Sequence, residues 1–197
     1  MTFVETVPEH EAAGDVREMY DRDRTASGDV PNYTRAFSHR PQVYAAWREL
    51  NMAIKQGMDL RRYELATVAA ARRLRSSYCA MAHGSVLMDK FMDADTLRAV
   101  VADHHAAGLD EVDVAVMDLA DKVAADATSI TQADIDRLRA LGLSDTDIFD
   151  VVAAAAARCF FSKSLDALGT LPDPRYAEAL PPELQDALTV GRPIETR

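Results

Sequence analysis

Residues 60–91 read Leu60-Arg-Arg-Tyr-Glu64-Leu-Ala-Thr-Val-Ala-Ala-Ala-Arg-Arg-Leu-Arg-Ser76-Ser77-Tyr-Cys79-Ala-Met-Ala-His83-Gly-Ser-Val-Leu-Met-Asp-Lys-Phe91. The alanine-rich run from Arg61 to Arg75 predicts a helix whose small residues allow close packing, with Glu64 on it. The Ser76–Ser77 pair predicts the start of a second helix, because serine hydroxyls accept from unpaired first-turn N–H groups. Cys79 then falls in the first turn, where the helix dipole favours an anion. His83 follows four residues later, on the same face of the helix as Cys79. A thiol at a helix N-terminus with an imidazole in reach is the usual setting of a reactive cysteine, since the thiolate is the nucleophile. Glu64 lies on a run whose face away from the arginines is expected to be buried, and a buried carboxylate needs a partner or a proton.

Working outward, the chain has 197 residues, 48% hydrophobic and 27% charged, which suits a soluble globular protein with a sizeable core. Its net charge is −10 with no basic cluster, which argues against nucleic acid and anionic membranes as partners. Two cysteines do not make a disulfide framework. The opening Met-Thr-Phe-Val-Glu-Thr-Val-Pro-Glu-His does not read as a signal peptide, and no apolar run approaches the ~20 residues of a membrane span. A reducing cytoplasmic location is the expectation.

No stretch alternates like a strand, so the fold class predicted is all-α, a single helical bundle of about seven helices. A first helix is expected over 9–25 behind Pro8, and one from Pro41 to Gly57 with Val43, Trp47, Leu50 and Ile54 as a stripe. The helix with Cys79 runs to Lys90. Asp93 or Asp95 opens the next, which carries Asp103, His104 and His105 at its end and closes at Gly108. Val112, Ala115, Val116, Leu119 and Val123 mark another. Thr131…Asp134 is a start signal of capping-box type for a short helix ending at Gly142, and Ser144…Asp147 opens the last long one, Asp147 to about Leu168. Residues 1–170 are read as the helical domain. Residues 171–197, rich in proline, are read as a tail with at most one short helix near 183–189.

Several residues read as structural. Cys159 sits in Ala-Ala-Ala-Arg-Cys-Phe-Phe and is expected in the core; Trp47, Phe37 and Tyr78 are expected to pack. Asp103, His104 and His105 contain metal-ligating types, but adjacent histidines on a helix diverge by about 100°, so no metal site is predicted.

The segment resembles the carboxymuconolactone decarboxylase and alkylhydroperoxidase D superfamily, whose peroxidase branch carries E-x11-C-x2-C-x3-H. Here Glu64, Ser76, Cys79 and His83 fall at the four motif positions. The resemblance implies an all-helical fold, Cys79 as the residue that meets peroxide, and Glu64 and His83 as a proton relay. Ser76 stands where the family has its resolving cysteine, so an external thiol or redox protein has to complete the cycle. The function expected is a thiol-dependent peroxidase-like oxidoreductase acting on a small-molecule peroxide, with no cofactor and in a homo-oligomer. The alternatives are a lyase or isomerase of the lactone decarboxylase branch, with Glu64 and His83 as acid and base, and a non-catalytic oligomeric helical protein.

Overall fold

A computed structural model describes residues 2–196. Among them the chain forms eleven α-helices, one 3-10 turn (Ala127–Ser129) and no strand, so the protein is all-α. None of these helices is long and apolar enough to cross a membrane.

Helix α4 (Leu60–Arg73) is the central rod. Asp59 caps it by accepting from the Arg62 N–H, and its residues Tyr63 to Ala71 are all buried. A helix buried all round needs neighbours on every side, and small side chains let them approach. The neighbours are α5 (Ser77–Lys90), α7 (Glu111–Asp126) and α9 (Asp145–Ala167). Helix α3 (Pro41–Gly57) lies against α9. On the α7 side, Arg61 and Arg62 both reach the buried Asp113, and Arg73 grips Asp121 with two hydrogen bonds. The capping box at Thr131/Asp134 forms as read and opens α8 (Gln132–Ala140), and a second box at Ser144/Asp147 opens α9.

The count exceeds the expected seven because short helices carry no periodic signal. Helix α1 is Gly14–Ser27, starting later than residue 9, since residues 9–11 turn on Pro8 instead. Helix α2 (Asn32–Ala36) is a brief turn after Pro31, pinned by the buried Thr34 hydroxyl donating to Asp23. Helix α6 (Ala94–Ala102) stops at Asp103, so His104 and His105 stand on the following turn rather than on a helix. Residues 171–196 form two short helices where at most one was expected: α10 (Arg175–Ala179) and α11 (Pro182–Leu188). Tyr176, Leu180, Leu184 and Leu188 are buried in the main core, and α11 closes over α5 and α6.

The turn from α4 into α5 decides where Cys79 stands. Arg75 adopts φ 58°, the left-handed region that costs an L-residue roughly 1–2 kcal/mol. The strand of chain after α11 buttresses it: the Gly191 N–H donates to Ser77 Oγ (2.8 Å), and Arg75 Nε donates to the Val190 carbonyl. Any side chain at Gly191 would collide with the Arg75 carbonyl oxygen.

Candidate active site

With Ser76 at the N-cap, Cys79 is the third residue of α5 and is buried. The dipole argument therefore applies, but not the capping argument: Ser76 makes no side-chain cap bond, and the Ser77 hydroxyl is taken by Gly191. Both serines are fully buried, and the partner of Ser77 comes from a part of the chain that local sequence cannot reveal.

Glu64 is completely buried, yet both of its oxygens are engaged. Oε2 lies 2.5 Å from His83 Nδ1 and Oε1 accepts from Lys55 Nζ at 3.1 Å. Burial works to raise the Glu64 pKa, but His83 and the Lys55 ammonium outweigh it, and the carboxyl ends below its ordinary value. An ionised carboxylate can only accept, so Nδ1 of His83 carries the hydrogen and Nε2 is left with its lone pair. Burial, reinforced by the positive charge of Arg158, pushes His83 down to about 4, so the imidazole is neutral at pH 7. Lys55, Glu64 and His83 thus form a chain ending in an available base.

The neutral His83 has a consequence for stability. A depressed folded-state pKa gives stability that is present above the unfolded value near 6.5 and lost as pH falls toward about 4. The shift corresponds to ~3 kcal/mol by linkage. Urea unfolding of wild type and His83→Gln at pH 7 and pH 4.5 tests it. The wild type's advantage over the variant is expected to shrink at the lower pH, and a constant difference would show that His83 protonates freely in the folded protein.

Sequence reasoning missed Arg158. It projects from α9, is 3% exposed, and its Nη1 lies 3.7 Å from Cys79 Sγ while Nη2 reaches the Tyr63 hydroxyl at 3.4 Å. The guanidinium also sits over the rings of Trp47 and Phe161. Among the described residues it has no carboxylate partner. Burial opposes its charge, but interaction with Cys79 and Tyr63 prevails and keeps it protonated. A lone arginine inside an alanine and aromatic run was the available signal, because such a residue is buried on most helix faces and needs a reason to be there. The adjacent Cys159, expected in the core, is partly exposed, and burial raises its thiol pKa.

Cys79, His83, Lys55, Tyr63 and Arg158 line one cavity of about 410 Å³, whose walls include Trp47 and Phe161. Glu64 stands behind it. Trp47, read first as a packing residue and second as a pocket-lining one, is part of the cavity wall, and Tyr78 lines it too while donating to Asp173 (2.5 Å). Phe37 packs in the core as expected. A larger cavity of about 790 Å³ at the N-terminal loop, beside Phe3, Arg35 and His39, touches none of the motif residues and offers no comparable chemistry.

The His104–His105 pair corrects the helix argument. On the turn after α6 the two rings lie 4.3 Å apart, and both Nε2 atoms approach Asp118 Oδ1, at 2.9 and 3.0 Å. The other Asp118 oxygen faces Arg137 at 3.4 Å, and Asp103 caps the His105 N–H. The group therefore satisfies itself by hydrogen bonds and an ion pair.

The same architecture recurs in solved structures. A peroxidase-related protein from Ralstonia eutropha JMP134, described as an alkylhydroperoxidase AhpD core, superposes with TM-score 0.80 at 22% identity, over 89% of this chain and 94% of that one. A peroxidase-related protein from a Silicibacter species gives 0.74 at 20% identity, over 88% and 90%. The debrominase Bmp8, in a cysteine-to-alanine form bound to 2,3,4-tribromopyrrole, gives 0.76 at 12% identity, over 95% and 100%. No curated protein sequence matches the chain. Residues 41–122, which hold Lys55, Glu64, Ser76, Cys79 and His83 but not Arg158, match the carboxymuconolactone decarboxylase family. The family match thus covers the central helices α3 to α7, and over most of its length the chain has the fold of the alkylhydroperoxidase AhpD core and of the second peroxidase-related protein.

Proposed function

We propose that the protein is a thiol-dependent peroxidase-like oxidoreductase in which Cys79 attacks the O–O bond. The observation that carries this reading is the Cys79 sulfur against a buried guanidinium with no carboxylate of its own. A buried cation is costly unless an anion meets it, and the thiolate of Cys79 is the anion within reach. His83 Nε2, oriented by Glu64 and Lys55, takes the thiol proton. The sulfur then bonds to the terminal peroxide oxygen, the O–O bond breaks, and His83 returns the proton to the departing alkoxide. Cys79 is left as a sulfenic acid, two electrons more oxidised, and the peroxide leaves as an alcohol. An external thiol condenses with the sulfenic acid, releasing water, and a second thiol reduces the mixed disulfide. Mass spectrometry after one equivalent of peroxide tests the first half: a single oxygen on Cys79 is expected. An unmodified Cys79 would overturn the reading.

Ser76 bears on the second half. Residues three apart in a first helical turn have Cβ atoms roughly 5–6 Å apart, and a disulfide needs about 3.5–4.5 Å, a gap that a small shift at the helix start closes. Ser76→Cys is expected to lose two hydrogens and form an intramolecular bridge on peroxide treatment, where the wild type gains oxygen. A variant that still collects oxygen would show that position 76 is not the resolving position.

One observation favours a second reading. The His83 base is neutral at pH 7 and shares the cavity with space for an organic substrate, as proton transfer at carbon in a lactone decarboxylase-like lyase or isomerase would require. Such activity would survive removal of the Cys79 thiol, and the peroxidase activity would not.

A further inference from the structure

Helix α9 carries an apolar stripe that the described residues leave open to solvent. Phe149 is 69% exposed and Phe160 45%, and Ala153 and Ala156 stand between them at successive spacings of four, three and four. That spacing keeps all four on one side of the helix, opposite the buried Arg158. Helix α3 extends the stripe sideways with Leu50, 53% exposed, and the exposed Ala53 and Gly57. The two helices meet closely there, since a Cβ on Gly57 would lie 2.8 Å from an Asp150 oxygen. Arg48, Met52 and Lys55, which line the cavity, lie on the other side of α3. Single exposed apolar residues are ordinary, but a contiguous face built of phenylalanine, leucine and alanine on two packed helices marks a contact with another molecule.

The order of the residues says which molecule. The stripe reads the same in both directions. A two-fold axis through the midpoint between Ala153 and Ala156 turns Phe149 onto Phe160 and one alanine onto the other. An interface between two identical copies has to be self-complementary in this way. The alanines let two antiparallel helices approach to about 8 Å in the middle, and the rings of each copy cover the ends. The charges obey the same axis. Three residues beyond one ring the stripe reaches Thr146, between the exposed Asp145 and Asp147, and three beyond the other it reaches the exposed Lys163. Lys163 makes no ion pair among the described residues. The axis sets it beside the aspartates of the second copy, where opposite charges fix the register. We propose that α9 is the contact of a two-fold homodimer, lying antiparallel to α9 of a second copy and flanked by Leu50 and Ala53. The contact braces from outside the two helices that carry Lys55 and Arg158 into the site, and it leaves the cavity mouth free.

Sedimentation velocity of the wild-type protein is expected to show an assembly with an even number of chains. Phe149→Glu and Phe160→Glu, both at exposed positions, are expected to stay helical by circular dichroism and to halve that number. Each should raise the dissociation constant of the two-fold contact at least ~100-fold, because two rings leave the interface at once. The register is read by cross-linking in Cys159→Ala protein, which removes the partly exposed thiol. Thr146→Cys mixed with Lys163→Cys is expected to give a disulfide-linked pair on oxidation. Thr146→Cys alone is expected to give none, as its two copies stand about 25 Å apart across an antiparallel contact. A monomeric or odd-numbered wild type would overturn the proposal and leave the face to a different partner. So would an assembly that survives both glutamate variants, or a cross-link in Thr146→Cys alone, which would put the two helices parallel.

Discussion

Cys79→Ser is expected to abolish reaction with peroxide, with a rate loss of more than about 10³-fold, because a serine hydroxyl at neutral pH is a far weaker nucleophile than a thiolate. The protein should stay folded, since the swap is nearly isosteric and Cys79 is a small side chain in the first turn of α5. Stopped-flow peroxide consumption, with circular dichroism as a check on the fold, measures both. Retained peroxide reduction would mean that Cys159, partly exposed and without a guanidinium on its sulfur, does the chemistry. Retained activity on lactone substrates alongside lost peroxide reduction would instead move the protein to the lyase branch.

Arg158→Met is expected to give the second largest effect, and one of a different kind. Two charges about 4 Å apart interact by roughly 4 kcal/mol at the effective dielectric of protein sites, and relaxation and water entry reduce that. Alkylation of Cys79 by iodoacetamide at neutral pH should therefore slow by ~10–100-fold. It should recover as the pH is raised, because hydroxide then does what the guanidinium did. Arg158→Lys should restore part of the rate. Stability is a useful counter-readout: replacing a buried cation without a carboxylate by an apolar side chain of similar length is often neutral or stabilising. A slow, pH-independent alkylation in a destabilised Arg158→Met protein would assign the arginine to packing against Trp47 and Phe161 instead.

The two residues in these experiments differ in how visible they were from the sequence. Cys79 stood out in the sequence because His83 follows it by four residues on one helix and because Glu64, Cys79 and His83 fall at the spacing of the motif that the segment resembles. Arg158 and Lys55 were not. Lys55 comes from the preceding helix, and Arg158 from a helix 79 residues further on, and only the packing of α3 and α9 on the central rod delivers them to the site. The long helices announced themselves by stripe and cap: Pro41, Thr131 and Ser144 sit where the structure starts α3, α8 and α9. The short ones did not, because α2 and α10 have five residues each, too few for a helical period to repeat. The His104–His105 reading failed by a boundary. Placing α6 past Ala102 made two rings diverge that in fact share one carboxylate.

The clamp of residues 187–191 on the start of α5 sets the order in which the site is built. Arg72 holds the Ala187 carbonyl, Leu188 fills the space against Gly84, and Gly191 engages Ser77 across 114 positions of chain. Contacts so distant in sequence carry the largest loop-closure entropy and form late on a folding pathway. Helix α4 and its alanine packing can condense early, but the strained Arg75 corner that aims Cys79 is held only once that distant segment docks. The Cys79 thiol is thus expected to reach its buried position beside Arg158 only after the surrounding core is in place.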